Sequence, residues 1–323
     1  MFSVLLRHVK NAMAFAVAFF LSLPLAAAPR AFITNQLGDS VSVIDTVSNS
    51  VVATIKVPGK PAGVAVSPNG DRVYVTTPES GELAVIDAAN NRLIAQVPAS
   101  AGALGIAVDK TGTTIFIADW YNNIVSVIDS QTLKVKKTIP VGRSPSGLAV
   151  SPDNRWLYVA NRLDNSVSQI DLETLRIRNT TKVGEHPFGL IVDSKGERIY
   201  VANVESDDIT VLGRDHLKRI ATVKVKMLPY AAALALDDSL LFVTNQDDGT
   251  VSVIDTVTLT ETAVIEVGDK PEGIGTLPGG RFVYVANWFD DNVSVIDALN
   301  LEVIDTIETG GGSRAFGQFI VGD

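Results

Sequence analysis

Residues 142–183 read GRSPSGLAVSPDNRWLYVANRLDNSVSQIDLETLRIRNTTKV, and this stretch decides the fold. It holds four short apolar runs separated by turn residues. Ser146–Val150 reads as a first strand. Ser151–Asn154 is a turn, in which Pro152 fixes φ and Asp153 and Asn154 accept turn geometry. Trp156–Ala160 is a second strand, rich in aromatic and β-branched residues. A loop at Arg162–Asn165 leads to a third strand, Val167–Asp171. Glu173 and Thr174 then turn the chain into a more polar fourth strand, Arg176–Val183. Nowhere does a helical apolar period persist beyond about ten residues.

The pattern recurs with a step of 42. Asp45, Asp87, Asp129, Asp171, Asp255 and Asp297 each follow an Ile; only Gly213, after Leu212, breaks the column. An aromatic column keeps the same step through Phe32, Tyr74, Phe116, Tyr158, Tyr200, Phe242 and Tyr284. So does a small-residue column through Gly63, Gly105, Gly147, Gly189, Ala231, Gly273 and Ala315. Arg30 to Asp323 spans 294 residues, seven periods without insertion or deletion. Four strands per unit of about 40 residues is the signature of a propeller blade. The sequence therefore predicts an all-β, seven-bladed β-propeller over residues 29–323, with four antiparallel strands per blade. Residues 31–57 carry strands two to four of a blade, and residues 310–322 match only a first strand, with Arg314-Ala315-Phe316 aligned on Ser146-Gly147-Leu148. The C-terminal strand is expected to complete the N-terminal blade and close the ring, which removes a free edge.

Tyr158-Val-Ala-Asn161, Tyr200-Val-Ala-Asn203 and Tyr284-Val-Ala-Asn287, with Ser67-Pro68, Ser151-Pro152 and the Val-Ile-Asp elements, resemble the YVTN β-propeller repeat family across residues 31–323. The resemblance implies an exported protein acting as a binding module. Similar propellers are found near quinoprotein dehydrogenases. Related seven-bladed folds include lactonases and the heavy subunit of methylamine dehydrogenase.

Composition narrows the function. The chain has no Cys and three His, which excludes disulfides and thiol catalysis and leaves no basis for a multi-His metal site. Residues 1–28 read as a signal peptide: Arg7 and Lys10, an apolar run from Ala12 to Leu25, then Ala26, Ala27 and Ala28. An uncleaved anchor is the competing reading. Net charge is −9, and removing Arg7 and Lys10 leaves 25 basic against 36 acidic residues, or −11. General nucleic-acid binding is not expected of such a chain. A monomer, periplasmic or secreted and without a membrane span after cleavage, is the expectation. No phosphate loop, dinucleotide fingerprint, Gly-x-Ser-x-Gly elbow or His-Glu-x-x-His motif is present, so no cofactor, catalytic residue or metal ligand is assigned.

Columns shared by most blades read as scaffold. The Asp of Val-Ile-Asp caps a turn, the Asn column (Asn35, Asn161, Asn203, Asn245, Asn287) closes a loop, and glycine avoids crowding at the axis. Residues that break the repeat on the loops entering strand one, or joining strands two and three, are the functional candidates. Arg143, Arg162, His186, Arg314, Lys60 and Lys270 form a cationic set suited to an anionic ligand or an acidic partner patch. Trp120, Tyr121, Phe188, Tyr230, Trp288 and Phe289 form an aromatic set suited to partner contacts. A third, acidic set (Glu205, Asp207, Asp208, Asp247, Asp248, Asp290, Asp291) reads as a solvated face. Arg143 and Arg314 belong to no scaffold column, so both are expected to be replaceable without loss of folding. The leading functional reading is a non-enzymatic binding protein, accessory to a periplasmic redox system of quinoprotein type. The alternative is a lactonase-like or other hydrolase using the Arg and His rim.

The leader has a direct test. N-terminal sequencing of the protein from the cell envelope should find a chain starting between residues 27 and 29; a chain still starting at Met1 would establish the anchor.

Overall fold

Each 42-residue copy folds into a four-stranded antiparallel meander because its alternating apolar residues need two buried faces and its turn residues reverse the chain. In the computed structural model, which describes residues 29–321, seven such sheets form the blades of a closed propeller. The expected signal peptide at 1–28 lies outside the described residues. Blade 4 shows the standard order: inner strand Pro145–Val150, then Trp156–Asn161, Ser166–Asp171 and the outer Arg176–Lys182. The second and third strands are almost wholly buried between neighbouring blades, whereas outer strands alternate or face water. Tyr158, Tyr200, Tyr284, Phe32, Phe116 and Phe242, from the aromatic column, are among the largest fully buried side chains.

The small-residue column lies where the blades crowd. A Cβ on Gly105 would sit 1.8 Å from the Ser146 carbonyl oxygen of the next blade, and one on Gly63 2.1 Å from that of Leu104. The same clash, with Phe188, Tyr230 and Ala315, awaits Gly147, Gly189 and Gly273 at 2.4, 2.5 and 2.2 Å. Side-chain hydroxyls add further latches between blades: Thr76 donates to Leu104 O at 2.7 Å, Thr34 to Ala62 O at 2.9 Å, and Thr244 to Glu272 O at 3.0 Å.

The scaffold columns behave as turn and loop caps. Asp45 accepts the backbone N–H groups of Val47 and Ser48, and Asp171 accepts that of Thr174. Asn161 donates to Ser166 and Ser168, and Asn35 to Ser40 and Ser42.

The C-terminal strand closes the ring, with a register that the 42-residue period does not predict. Tyr158 pairs with Ala149 in blade 4, so the period places Phe32 opposite Gly317. Instead Ala31 pairs with Ile320, and the Phe32 N–H donates to Phe319 O at 2.8 Å. Asn35 still bridges to Ser313, as Asn161 pairs with Pro145. Two extra residues are therefore accommodated between these points. To make room, the three residues Phe316–Gln318 leave the blade, pair in parallel with Gly63–Ala65 and give blade 2 a fifth strand. The shift puts Phe319, fully buried, into the core of blade 1. Gly317 permits it: φ is +126° and a Cβ would lie 2.3 Å from Val64 O.

Deleting residues 311–323 should lower Tm by roughly 10 °C or more. Each buried Phe is worth about 1.5–3 kcal/mol, and 1 kcal/mol moves Tm by about 2–4 °C in domains above ~150 residues. An unchanged melting curve would show that the ring does not depend on this closure.

The turn aspartates make stability acid-sensitive. Backbone N–H groups of Ser48, Thr174 and Thr258 hold Asp45, Asp171 and Asp255 below the ordinary carboxylate value of 3.8. The Asn90 side chain does so for Asp87, Lys136 for Asp129 and Arg281 for Asp297. A pKa depressed by folding gives stability that is present above the unfolded value and lost as pH falls through the folded one. Urea midpoints measured against pH should be flat with respect to this set above about pH 5 and fall below pH 3.8.

Candidate functional site at the narrow mouth

One repeat position builds the centre of this face. The residue before the small-residue column is Ala62, Leu104, Ser146, Phe188, Tyr230, Glu272 and Arg314 in blades 2 to 7 and 1. Its carbonyl lies against the preceding blade's glycine in most blades, which brings successive side chains of this position together at the narrow end of the channel. Phe188 and Tyr230 stack at 4.2 Å between ring centroids, and Phe316 lies 4.9 Å from Phe188 and 5.6 Å from Tyr230. Trp120 meets the edge of Phe188 at 6.0 Å, and the Arg162 guanidinium stands 5.4 Å over Trp120. These rings plug the channel. On the solvent side of the plug, Pro78, Gly102, Leu104, Trp120, Tyr121, Phe188 and Arg314 line a cleft of about 190 Å³.

Beside the plug sits a buried ion pair. Arg314 Nε lies 2.8 Å from Glu272 Oε2, with side chains only 15% and 6% exposed. The Nε–H is not aligned on the carboxylate, so both atoms lack a well-formed hydrogen bond. Arg314 also donates to the Tyr230 hydroxyl, and Gln246 Nε2 donates to Glu272 Oε1 at 2.8 Å. Burial pushes the Glu272 carboxyl up, against the pull of the Arg314 charge. Burial is the largest single influence on the Arg314 guanidinium and opposes its charge, but Glu272 and Tyr230 together outweigh it and hold the group protonated. The Tyr230 phenol is raised by its burial.

The structure brings together Trp120, Arg162, Phe188, Tyr230 and Arg314 from the two candidate sets. It separates the other cations from them. Arg143 turns onto its own blade, with Nε 2.6 Å from Asp164 and a terminal nitrogen 2.8 Å from Leu163 O. Lys60 pairs with Asp39 at 3.5 Å, Lys270 with Asp247, and His186 Nδ1 lies 3.5 Å from Glu205. Lys60, His186 and Lys270 share a repeat position with positive φ, held in Lys60 and His186 by backbone N–H bonds to Asp39 and Asn165 of the preceding blade. Trp288 packs on Phe289 at 4.6 Å and donates to Gln36 of blade 1 at 3.2 Å. Tyr121 and Phe289 are open to solvent, 72% and 55% exposed.

The acidic set has structural work as well. Asp207 and Asp291 accept backbone N–H groups of the next blade's entry loop, from Leu228 and Gly312, whereas Asp248 and Asp290 accept those of their own blade's entry loop, from Met227 and Asp269. They nonetheless keep their charge at the surface. The loops of this face hold eleven Asp and Glu against six Lys and Arg, a net of −5. A general attraction for anions is therefore not what this face offers. The residues missed in the sequence are Glu272, Gln246 and Phe316. Glu272 was accessible as the variable neighbour of the small-residue column; Phe316 was hidden by the register shift.

Among known proteins, the family model described as "Lactonase, 7-bladed beta-propeller" matches residues 129–226, and that described as "Cytochrome D1 heme domain" matches residues 27–151. Each covers less than half of the chain. No curated protein matches. Kuenenia stuttgartiensis hydrazine synthase superposes with a TM-score of 0.76 at 20% identity, over 88% of this chain and 99% of that one. A protein of unknown function from Desulfotomaculum acetoxidans gives 0.77 at 15%, over 90% and 99%. Dihydro-heme d1 dehydrogenase NirN, in complex with DHE, gives 0.69 at 15%, over 88% and 74%. At such identities the likeness is one of fold. The chain is a seven-bladed propeller.

The expectation that Arg314 is dispensable for folding does not survive its burial. Arg314→Ala leaves the Glu272 carboxylate unpaired and should cost about 3–5 kcal/mol in urea unfolding. Arg314→Met combined with Glu272→Leu should recover most of that loss, whereas Arg143→Ala should change stability by less than about 1 kcal/mol.

Proposed function

We propose that this protein is an exported, non-enzymatic propeller that docks a protein partner on its narrow-mouth face, as an accessory of a redox system. The carrying observation is the distribution of exposed apolar side chains. Leu37, Tyr121, Leu163, Met227 and Phe289, all well exposed, come from loops of blades 1, 3, 4, 6 and 7 on this one face. They surround the Trp120, Arg162 and Arg314 centre, a combination of aromatic and Arg anchors typical of interface hot spots. The acidic loops give the face a sign, so a partner with a basic rim is favoured over an anionic small molecule. The redox context is supported by the company the fold keeps, a hydrazine synthase, a dihydro-heme d1 dehydrogenase and the cytochrome D1 heme domain model.

The test is site-specific crosslinking in the cell envelope. A photoreactive residue at position 121 or 289 should capture a partner, and one at Val257, 81% exposed on the opposite face, should not. Equal capture at all three positions, or none at 121 and 289, would refute the docking face. A second reading, a lactonase, is favoured by the family match over residues 129–226. Lactone hydrolysis that is abolished by Arg162→Ala and His186→Ala would establish it instead.

A further inference from the structure

The channel has a second compartment. Below the aromatic plug it widens into a well of about 1580 Å³, opening on the face of the turns between strands one and two. Phe316 reaches it, whereas Phe188 and Arg314 line the cleft on the other side. The inner strands line it over four residues, as in Gly147–Val150, or ~13 Å at about 3.3 Å per residue, so the mean cross-section is ~120 Å². The well is thus closed at one end and open at the other, and wide enough to admit an extended chain lengthwise.

Its polarity changes along its length. The wall carries Leu148, Val150, Leu190, Val192 and Leu234, each only half buried although it belongs to an inner strand. Among the described lining residues the cations lie at the rim: Lys110 and Lys195 on blades 3 and 5, and Arg30 on blade 1, which donates to Asn91 at 3.1 Å. Lys110 is exposed at the mouth of the well, where the surrounding protein lowers its pKa and no carboxylate offsets the loss. Four carboxylates share the rim, and three are engaged elsewhere: Asp193 accepts the Glu197 N–H at 2.7 Å, Asp238 the Ser194 N–H at 2.7 Å and Asp71 the Asn69 side-chain N–H at 2.8 Å, while Asp237 is the fourth; none forms an ion pair with Lys110 or Lys195. An apolar blind end beneath a rim with free ammonium groups matches an amphiphile that enters tail first. A chain end of a peptide would instead carry its terminal charge into the aliphatic floor.

We propose that this well binds a long-chain anionic amphiphile, its aliphatic tail against Leu148, Leu190 and Leu234 and its carboxylate-type head at Lys110 and Lys195. The site lies on the face opposite the docking surface and does not depend on that reading. Tail burial supplies the affinity through apolar surface removed from water on both partners. The head selects anions through charge-assisted hydrogen bonds.

The experiment titrates purified mature protein with sodium laurate and with 1-dodecanol, below the micellar range of laurate, by isothermal calorimetry with native mass spectrometry for stoichiometry. Both are expected to bind once per chain. Leu148→Trp with Leu190→Trp, which fills the lumen, should weaken both at least tenfold while Tm stays at the parent value. Lys110→Ala with Lys195→Ala should weaken laurate at least tenfold and leave dodecanol within twofold. Tyr121→Ala, on the far side of the plug, should change neither. Absence of laurate binding to the parent, or full binding by a folded Trp variant, would overturn the site. Should the Trp pair unfold the ring, Val150→Gln with Leu234→Gln, at half-exposed wall positions, takes its place under the same criteria. Laurate affinity unchanged by loss of both lysines would overturn the anionic head.

Discussion

Everything in this molecule hangs on the contact between an inner-strand glycine and a carbonyl of the next blade. Five of the seven column positions are glycines whose Cβ would approach that oxygen to between 1.8 and 2.5 Å. No side chain of any kind fits such a gap, so the column sets how closely the blades approach at the narrow end. The two alanines are informative exceptions. Ala231 is tolerated in blade 6, and Ala315 takes a φ of +48° in the blade where the inner strand is irregular. Because the backbones meet so closely there, the residue just before the column has nowhere to place its side chain except over the mouth. Scaffold and site are thus consequences of one contact.

The loops on that face are held by a second repeated device. Five of the seven blades reach forward to the next with a short polar side chain that accepts a backbone N–H of the neighbour's entry loop, as Asn123 does for Ser144 and Asn165 for His186; Gly81 and Gly249 stand at that position in the other two. Where evolution placed acids in these positions, the cap carries charge. Acids of the same loops pair with the cations nearby, Asp39 with Lys60, Asp164 with Arg143 and Asp247 with Lys270, so those rim cations act within the ring, and the exposed aromatics are left to distinguish this face from its opposite.

Blade 1 breaks the symmetry and divides the channel. Its inner strand must be supplied by the chain's far end, and two surplus residues displace Phe316–Gln318 onto blade 2. That displacement delivers Phe316 to the ring cluster of Phe188 and Tyr230. A continuous channel becomes a shallow aromatic cleft on one face and an aliphatic well on the other. The Arg314–Glu272 pair sits at this junction, between the closing strand and blade 7, where its loss would leave a buried charge at the seam of the ring.

The sequence by itself determined the fold: period, blade number, strand order and the partnership of the two chain ends. It did so because each blade repeats the same local rules of alternation and turn chemistry, and local rules are written in adjacent residues. It also identified the turn aspartates and the loop asparagines as scaffold, since their hydrogen bonds run to near neighbours in the chain. Only the tertiary structure decided which candidates meet. Arg143, Lys60 and Lys270 look like free cations until the adjoining loop supplies Asp164, Asp39 and Asp247. Glu272 looks like one more acid until Arg314, 42 residues on, is folded against it. The two-residue slip at the closing strand, and with it the plug and the blind well, arose from packing Phe319 into the core of blade 1. Such packing depends on the shape of space between distant segments, which no repeat period encodes.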